Sequence, residues 1–172
     1  MAKGRIIVNT GDGKGKTTAA LGTALRAAGH GQQVAIVQFI KGSWNYGEAT
    51  ALEQFPNVEL VRFGSGFTWE ADDPSVPLSL AREAWTAARE RALSDCYNLL
   101  VLDELNYAMT EGFVSVDEVL DLLASKPQRL SVIITGRNAA PALIEAADTV
   151  TEMRCIKHGF AEGIPAKKGI EY

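Results

Sequence analysis

The sequence predicts an α/β fold, a mostly parallel β-sheet flanked by helices, with residues 1–172 forming a single domain. Two observations carry that prediction. Short runs rich in Val, Ile and Leu recur along the chain, several of them apolar at successive positions, which is the pattern of strands covered on both faces. Between them lie segments with apolar residues three and four apart, the pattern of helices that bury one side.

Taken in order, strands are expected at Arg5 to Asn9, Val34 to Ile40, Val58 to Phe63, Asn98 to Asp103, Ser131 to Thr135 and Thr149 to Met153. Lys16 to Ala28 reads as a helix of strong formers (Ala19, Ala20, Leu21, Ala24, Leu25) stopped by Gly29. Leu80 to Leu93 places Ala81, Ala84, Trp85, Ala88 and Ala92 on one face, with Arg82, Glu83, Arg89, Glu90 and Arg91 elsewhere. Ser115 followed three residues later by Glu118 is a capping-box pattern that opens a helix through Leu123, and Pro127 keeps it short. A further short helix is expected from Ala140 to Ala147, and the longest loop-like stretch is Gly64 to Pro77.

Composition narrows the class. With 47% hydrophobic and 22% charged residues the chain is an ordinary globular protein. At this size roughly 70% of the unfolded surface can leave water, so no metal or crosslink is needed to hold the core. Seventeen Lys+Arg against 21 Asp+Glu leave a net charge of −4, which argues against a general nucleic-acid coat. No apolar run approaches the roughly 20 residues of a membrane span, and the start, Met1-Ala2-Lys3-Gly4-Arg5, lacks the apolar core of a signal peptide. A cytoplasmic protein is expected, with Cys96 and Cys155 as reduced, packed thiols.

The most informative segment is Thr10-Gly11-Asp12-Gly13-Lys14-Gly15-Lys16-Thr17-Thr18, directly after the first strand and opening the first helix. Glycines at alternate positions free the backbone to turn N–H groups towards an anion, and the helix N-terminus adds partial positive charge. Lys16 is then placed to neutralise phosphate, and the Thr17 hydroxyl to ligate the accompanying Mg²⁺. The run Gly15-Lys16-Thr17 fits the phosphate-loop pattern, while Thr10 stands where its first glycine is expected. A phosphate-loop NTPase-like, RecA-like fold follows from this loop in this position. A dinucleotide site does not: the spacing is G-x-G-x-G, and no acidic residue ends the second strand near Gln38 to bind a ribose.

Asp103-Glu104 closes the apolar run Asn98 to Leu102, which places carboxylates at the carboxyl edge of a buried strand, where such proteins keep a second Mg²⁺ contact. If the strand continued through both residues they would face opposite ways, one approaching the metal and the other acting through water or the loop. Lys41 beyond the second strand and Arg137 beyond the fifth lie on the same edge and are candidates for phosphate, ribose or carboxamide contacts. His30 reads as a helix-end residue, and His158, beside Lys157, as a residue lining the site.

The loop, together with Gln38-Phe39-Ile40-Lys41-Gly42, Gly66-Phe67-Thr68-Trp69-Glu70, Val101-Leu102-Asp103-Glu104-Leu105, Ile133-Ile134-Thr135-Gly136-Arg137 and the tail Lys157-His158 to Gly169-Ile170-Glu171-Tyr172, resembles the ATP:corrinoid adenosyltransferases of the cobalamin pathway over nearly the whole chain. The resemblance implies transfer of the 5′-deoxyadenosyl group of ATP to the Co(I) of a corrinoid, with tripolyphosphate released. It implies ATP bound by Gly11, Asp12, Gly13, Lys14, Gly15, Lys16, Thr17, Thr18, Lys41 and Arg137, and Mg²⁺ (or Mn²⁺) held by Thr17, Asp103 and Glu104. Lys16 takes the catalytic role of stabilising the leaving triphosphate, and Phe67 and Trp69 that of an apolar wedge against the corrinoid, which eases reduction of Co(II). An electron donor such as a reduced flavoprotein and a homodimer are implied as partners, and neither nucleic acid nor membrane. Many family members carry asparagine where this chain has Asp12, whose charge repels a phosphate unless it points outward or meets Mg²⁺, Lys14 or the ribose. Two other functions share features of this sequence: a phosphate-loop ATPase or small-molecule kinase moving the γ-phosphoryl group, and a RecA-like nucleic-acid-binding module.

Overall fold

Alternation along the strands decides how this chain packs. In β2 (Val34–Gln38), Val34 and Ile36 face one way and Ala35 and Val37 the other, and all five residues are buried. The neighbouring strand β4 (Leu99–Asp103) repeats the pattern, with Leu99 and Val101 on the first face and Leu100 and Leu102 on the second. Two cores result, one on each side of the sheet. The computed structural model describes residues 3–40, 46–64 and 75–171, so Lys41, Phe67 and Trp69 lie outside the described residues.

Among the described residues the sheet has six strands, completed by β1 (Ile6–Thr10), β3 (Val58–Arg62), β5 (Ser131–Thr135) and β6 (Thr149–Glu152), in the spatial order β3-β2-β4-β5-β1-β6. Every pairing is parallel: Val34 sits opposite Val58 and Leu99, Leu99 opposite Ser131, Ile6 opposite Val132 and Ile7 opposite Thr149. Parallel neighbours need a crossover, and the helices supply it.

On the first face, α1 (Lys16–Gly29) lays Ala20, Leu21 and Ala24 against Val34, Ile36, Val101 and Ile133, joined by Leu52 of α2 (Gly47–Leu52). On the other, α3 (Ser75–Leu93) buries Ala81, Ala84, Trp85, Ala88 and Ala92. Its small side chains let it lie close on the sheet, with Trp85 as the large anchor. Leu105 and Ala108 of α4 (Leu105–Thr110), Val119, Leu122 and Leu123 of α5 (Val116–Ser125) and Leu143 of α6 (Pro141–Ala146) complete that core.

The expected strands and helices are all present, with instructive departures. The α3 helix starts five residues before Leu80, inside the stretch expected to be loop, and the six-residue α2 and α4 were not anticipated because so few positions carry no readable periodicity. The stop of α1 is not Gly29, which is still helical; His30 caps it and Gly31 takes the left-handed turn at φ 72°. The capping box of α5 is complete: the Glu118 N–H donates to Ser115 Oγ at 3.2 Å and the Ser115 N–H to Glu118 Oε2 at 3.0 Å. Cys96 and Cys155 are free thiols, yet both are exposed rather than packed, because Cys96 sits in the turn before β4 and Cys155 beyond edge strand β6. Among the described residues no helix is long and apolar enough to cross a membrane.

Among the described residues, the buried polar side chains share one location. Asn9 and Thr10 end β1, Gln38 ends β2, Asp103 ends β4, Thr135 ends β5, and Lys16 and Asn106 follow directly in α1 and α4. All lie at the carboxyl edge of the sheet, the edge where open parallel sheets bind ligands.

Candidate active site

The chain leaves β1 through Gly11 and reaches α1 through Gly15, at φ 94° and 108°, conformations that favour glycine. A Cβ on Gly11 would stand 2.5 Å from the Met153 carbonyl oxygen, and one on Gly13 2.8 Å from the Arg154 carbonyl. The backbone beyond β6 therefore presses directly on the loop. Hydrogen bonds fasten it there: Gly13 N–H donates to Met153 O at 2.6 Å, and Met153 N–H to Thr10 O at 2.8 Å.

Lys16, only 8% exposed, reaches back into the curl of the loop and donates to the carbonyls of Gly11 and Gly13, both at 2.7 Å. Burial holds its ammonium below the ordinary 10.5; the charges of Glu104 and Asp12 pull the other way, and that of Arg137 adds to the depression. An incoming phosphate answers this arrangement, because it supplies the negative charge that a buried ammonium lacks.

Asp103 is fully buried. Its Oδ1 accepts from the Thr17 hydroxyl at 2.8 Å and the Thr135 hydroxyl at 2.7 Å, and its Oδ2 from the Gln38 amide at 2.9 Å. The condition under which Asp103 and Glu104 face opposite ways is not met, since β4 ends at Asp103. Glu104 turns into the left-handed region at φ 65° and caps α4. Its N–H donates to Thr135 Oγ1 at 2.9 Å, and Glu104 Oε2 lies 3.2 Å from where a Gly136 Cβ would stand. Both acidic residues thus belong to the loop's surroundings, Asp103 through Thr17 and Glu104 through its field at Lys16. Asn106 Nδ2 holds the Gly136 carbonyl at 2.9 Å, which fixes the turn leading to Arg137.

The rim of the loop is built differently. Arg137 Nε lies 3.7 Å from Asp12 Oδ1, with both side chains mostly in water, 65% and 79% exposed. Asp12 therefore points outward, and its partner is Arg137 rather than Lys14. Lys14 instead meets Glu171 of the tail at 3.4 Å. Thr18 lines a cleft of about 450 Å³ with Gly22, Ala51 and Ile170. His158 lines a second cleft, of about 290 Å³, with Lys14 and Phe160, and its Nδ1 accepts the Phe160 N–H at 3.1 Å to cap the tail's 3₁₀ turn, Gly159–Glu162. His30 ends α1 in the open.

Among the described residues no group of three or more His, Cys, Asp or Glu gathers as a metal cage. Mg²⁺ at a phosphate site does not require one, since it draws on one or two carboxylates plus phosphate and water. Thr17, Asp103 and Glu104 fit that pattern: hard oxygen donors, with Thr17 and Asp103 already in contact.

The model of the family described as ATP:corrinoid adenosyltransferase BtuR/CobO/CobP matches residues 2–172. The chain belongs to this family. It is 44% identical to the corrinoid adenosyltransferase of Pseudomonas aeruginosa over 171 residues, 99% of this chain and 84% of that protein. It is 44% identical to the corrinoid adenosyltransferase of Escherichia coli over 170 residues, 99% and 86% of the two chains, and 42% identical to corrinoid adenosyltransferase CobA of Salmonella typhimurium over the same length and shares. These relatives do not favour a phosphoryl-transfer or nucleic-acid-binding role.

The loop, Asp103, Glu104 and Arg137 come together at the carboxyl edge of the sheet. Gln38, Thr135 and Asn106 escaped assignment. Their signal was present: each is a polar residue at or just beyond the end of an apolar strand, where a core-forming residue would otherwise continue.

Proposed function

We propose that this protein transfers the 5′-deoxyadenosyl group of ATP to the Co(I) centre of a corrinoid. The lone pair of Co(I) attacks the ribose C5′, a Co–C bond forms, the C5′–O bond breaks, and its electron pair leaves on tripolyphosphate. The nucleophile carries no proton, so no general base is needed, and neither histidine is asked to serve as one. Charge develops on the leaving triphosphate, and stabilising it is the protein's main electrostatic task.

The observation that carries this reading is the buried Lys16 in its glycine loop, linked through Thr17 to Asp103, in a chain that matches the family from end to end. In this reading Lys16 and the loop N–H groups between Gly11 and Thr17 hold the triphosphate. Thr17, Asp103 and Glu104 would hold Mg²⁺, which when bound neutralises phosphate charge. Lys14, Asp12, Thr18 and Arg137 line the approach, and Lys41 reaches phosphate or a corrinoid carboxamide. Phe67 and Trp69, outside the described residues, form the apolar wall against the corrinoid. Residues 1–172 act as one catalytic domain, the enzyme works as a homodimer in the cytoplasm, and a donor such as a reduced flavoprotein supplies the electron that converts Co(II) to Co(I).

The test is incubation with ATP, Mg²⁺ and chemically reduced cobalamin. Conversion of the visible spectrum to the adenosyl form with stoichiometric tripolyphosphate is the expected result. Release of ADP without adenosylation would refute the proposal.

A further inference from the structure

Side chains from three different elements donate to the Asp103 carboxylate: Thr17 from α1, Gln38 from β2 and Thr135 from β5. These strands are neighbours of β4 on either side, so the sheet order itself places an amide and a hydroxyl against the two oxygens of one carboxylate. With Oδ1 and Oδ2 both engaged, the carboxylate cannot turn about its last torsion, which is otherwise soft. Thr17 then has a fixed acceptor for its hydroxyl proton, and its lone pairs are left facing away from Asp103. Thr135 does a second thing with the same oxygen, accepting the N–H of Glu104 at 2.9 Å while donating to Asp103 at 2.7 Å. One buried hydroxyl therefore sets the orientation of Asp103 and anchors the left-handed residue that follows it.

We infer that Thr135 and Gln38 are positioning residues, which lock the Asp103 carboxylate so that Thr17 presents its oxygen to the divalent cation accompanying a bound triphosphate. The inference rests on the triphosphate-and-cation reading given above. It goes beyond it by assigning roles to two residues that touch neither phosphate nor cation. Partners of this kind, one bond removed from a metal ligand, typically change metal affinity 10–100-fold when lost. A merely structural role would act otherwise: removing either side chain would lower stability and leave the cation requirement where it was.

The experiment titrates Mn²⁺ into the protein bound to a non-cleavable ATP analogue, following free Mn²⁺ by electron paramagnetic resonance, for the wild type, Thr135→Val, Thr135→Ser and Gln38→Met. Thermal unfolding of each is measured in parallel. Expected is a loss of Mn²⁺ affinity of about tenfold or more in Thr135→Val and Gln38→Met, recovery in Thr135→Ser, and an unchanged KM for the corrinoid. Equal Mn²⁺ affinity in Thr135→Val and Thr135→Ser would overturn the inference, as would a folded Gln38→Met with wild-type affinity. Because Gln38 lies on a different strand, it decides the matter even where Thr135→Val does not fold. Absence of nucleotide-dependent Mn²⁺ binding in the wild type would remove the underlying reading instead, and that result is visible without any variant.

Discussion

The phosphate loop is held from its inner and outer sides by two different kinds of contact. On the inner side Lys16, Thr17, Asp103, Thr135 and Gln38 form hydrogen bonds of 2.7–2.9 Å, and of these residues only Thr17 is not buried. On the outer side the pairs Asp12–Arg137 and Lys14–Glu171 are open ion pairs of 3.7 and 3.4 Å between solvated side chains. The same formal charges mean different things in the two places. In a low-dielectric setting with fixed partners a charge dictates geometry and is costly to leave unpaired, whereas in water it is screened and its partner is interchangeable. On the proposed function, stabilisation of the leaving group falls to the inner side, and tuning of approach and affinity to the outer side.

Four substitutions test that contrast, from the largest expected effect to the smallest. Lys16→Ala should lower kcat for adenosyl transfer by about 10²–10³-fold, the cost of removing one preorganised charge from a developing anion, with thermal unfolding measured to confirm a folded protein. A loss no greater than that of the rim variants would break the contrast. The same residue sets a pH dependence. Because burial depresses its pKa in the free protein, the ammonium is lost, as pH rises, earlier than that of a solvated lysine. Affinity for triphosphate, followed by calorimetry, should therefore begin to fall, as pH rises, before a free lysine would titrate.

Gly13→Ala comes next. Its Cβ meets the backbone of Met153 and Arg154 at 2.8 Å, and no side-chain rotation relieves a clash with main chain. The expected outcome is a drop in melting temperature of several degrees, as overpacking of about 1–3 kcal/mol brings, together with weaker ATP binding. An unchanged melting temperature would show that the segment beyond β6 is less firmly seated than the loop's hydrogen bonds imply. Asp12→Asn should change ATP affinity by less than about fivefold, towards tighter binding, since a negative charge leaves the neighbourhood of the triphosphate. That gain should shrink with added salt. Glu171→Gln should have the smallest effect, a salt-sensitive change in affinity within the scatter of surface substitutions. A large loss from either rim variant, measured by nucleotide titration at low and high ionic strength, would move that residue to the inner side.

How much of this was readable beforehand varies with the range of the interaction. The loop is contiguous, and its glycines, lysine and threonine carry their meaning within nine residues. Asp103 announced itself as a charge ending an apolar strand. Gln38 and Thr135 did not, because they stand 65 and 32 positions away from Asp103 in the chain. Only the order β2-β4-β5 makes them neighbours. The glycines show a subtler case. An anion cradle explains why they are present, yet Gly11 and Gly13 are also constrained by the close approach of Met153 and Arg154, about 140 positions downstream. The exposed thiols and the overlooked α2 and α4 have a common cause: short or terminal segments take their environment from what packs beside them, and local pattern is silent on that.

The sequence alone therefore determined the class of fold, the run of strands and main helices along the chain, and the family. These follow from periodicity and from residues close together in the chain, where propensity and spacing suffice. The tertiary structure decided which polar groups meet: that Asp103 is locked from both sides by Gln38 and Thr135, that Glu104 leaves the strand to join it, and that Asp12 turns out to Arg137 instead of in towards the phosphate site. Those outcomes depend on strand order and on what each buried donor or acceptor finds within 3 Å, and no local pattern encodes either.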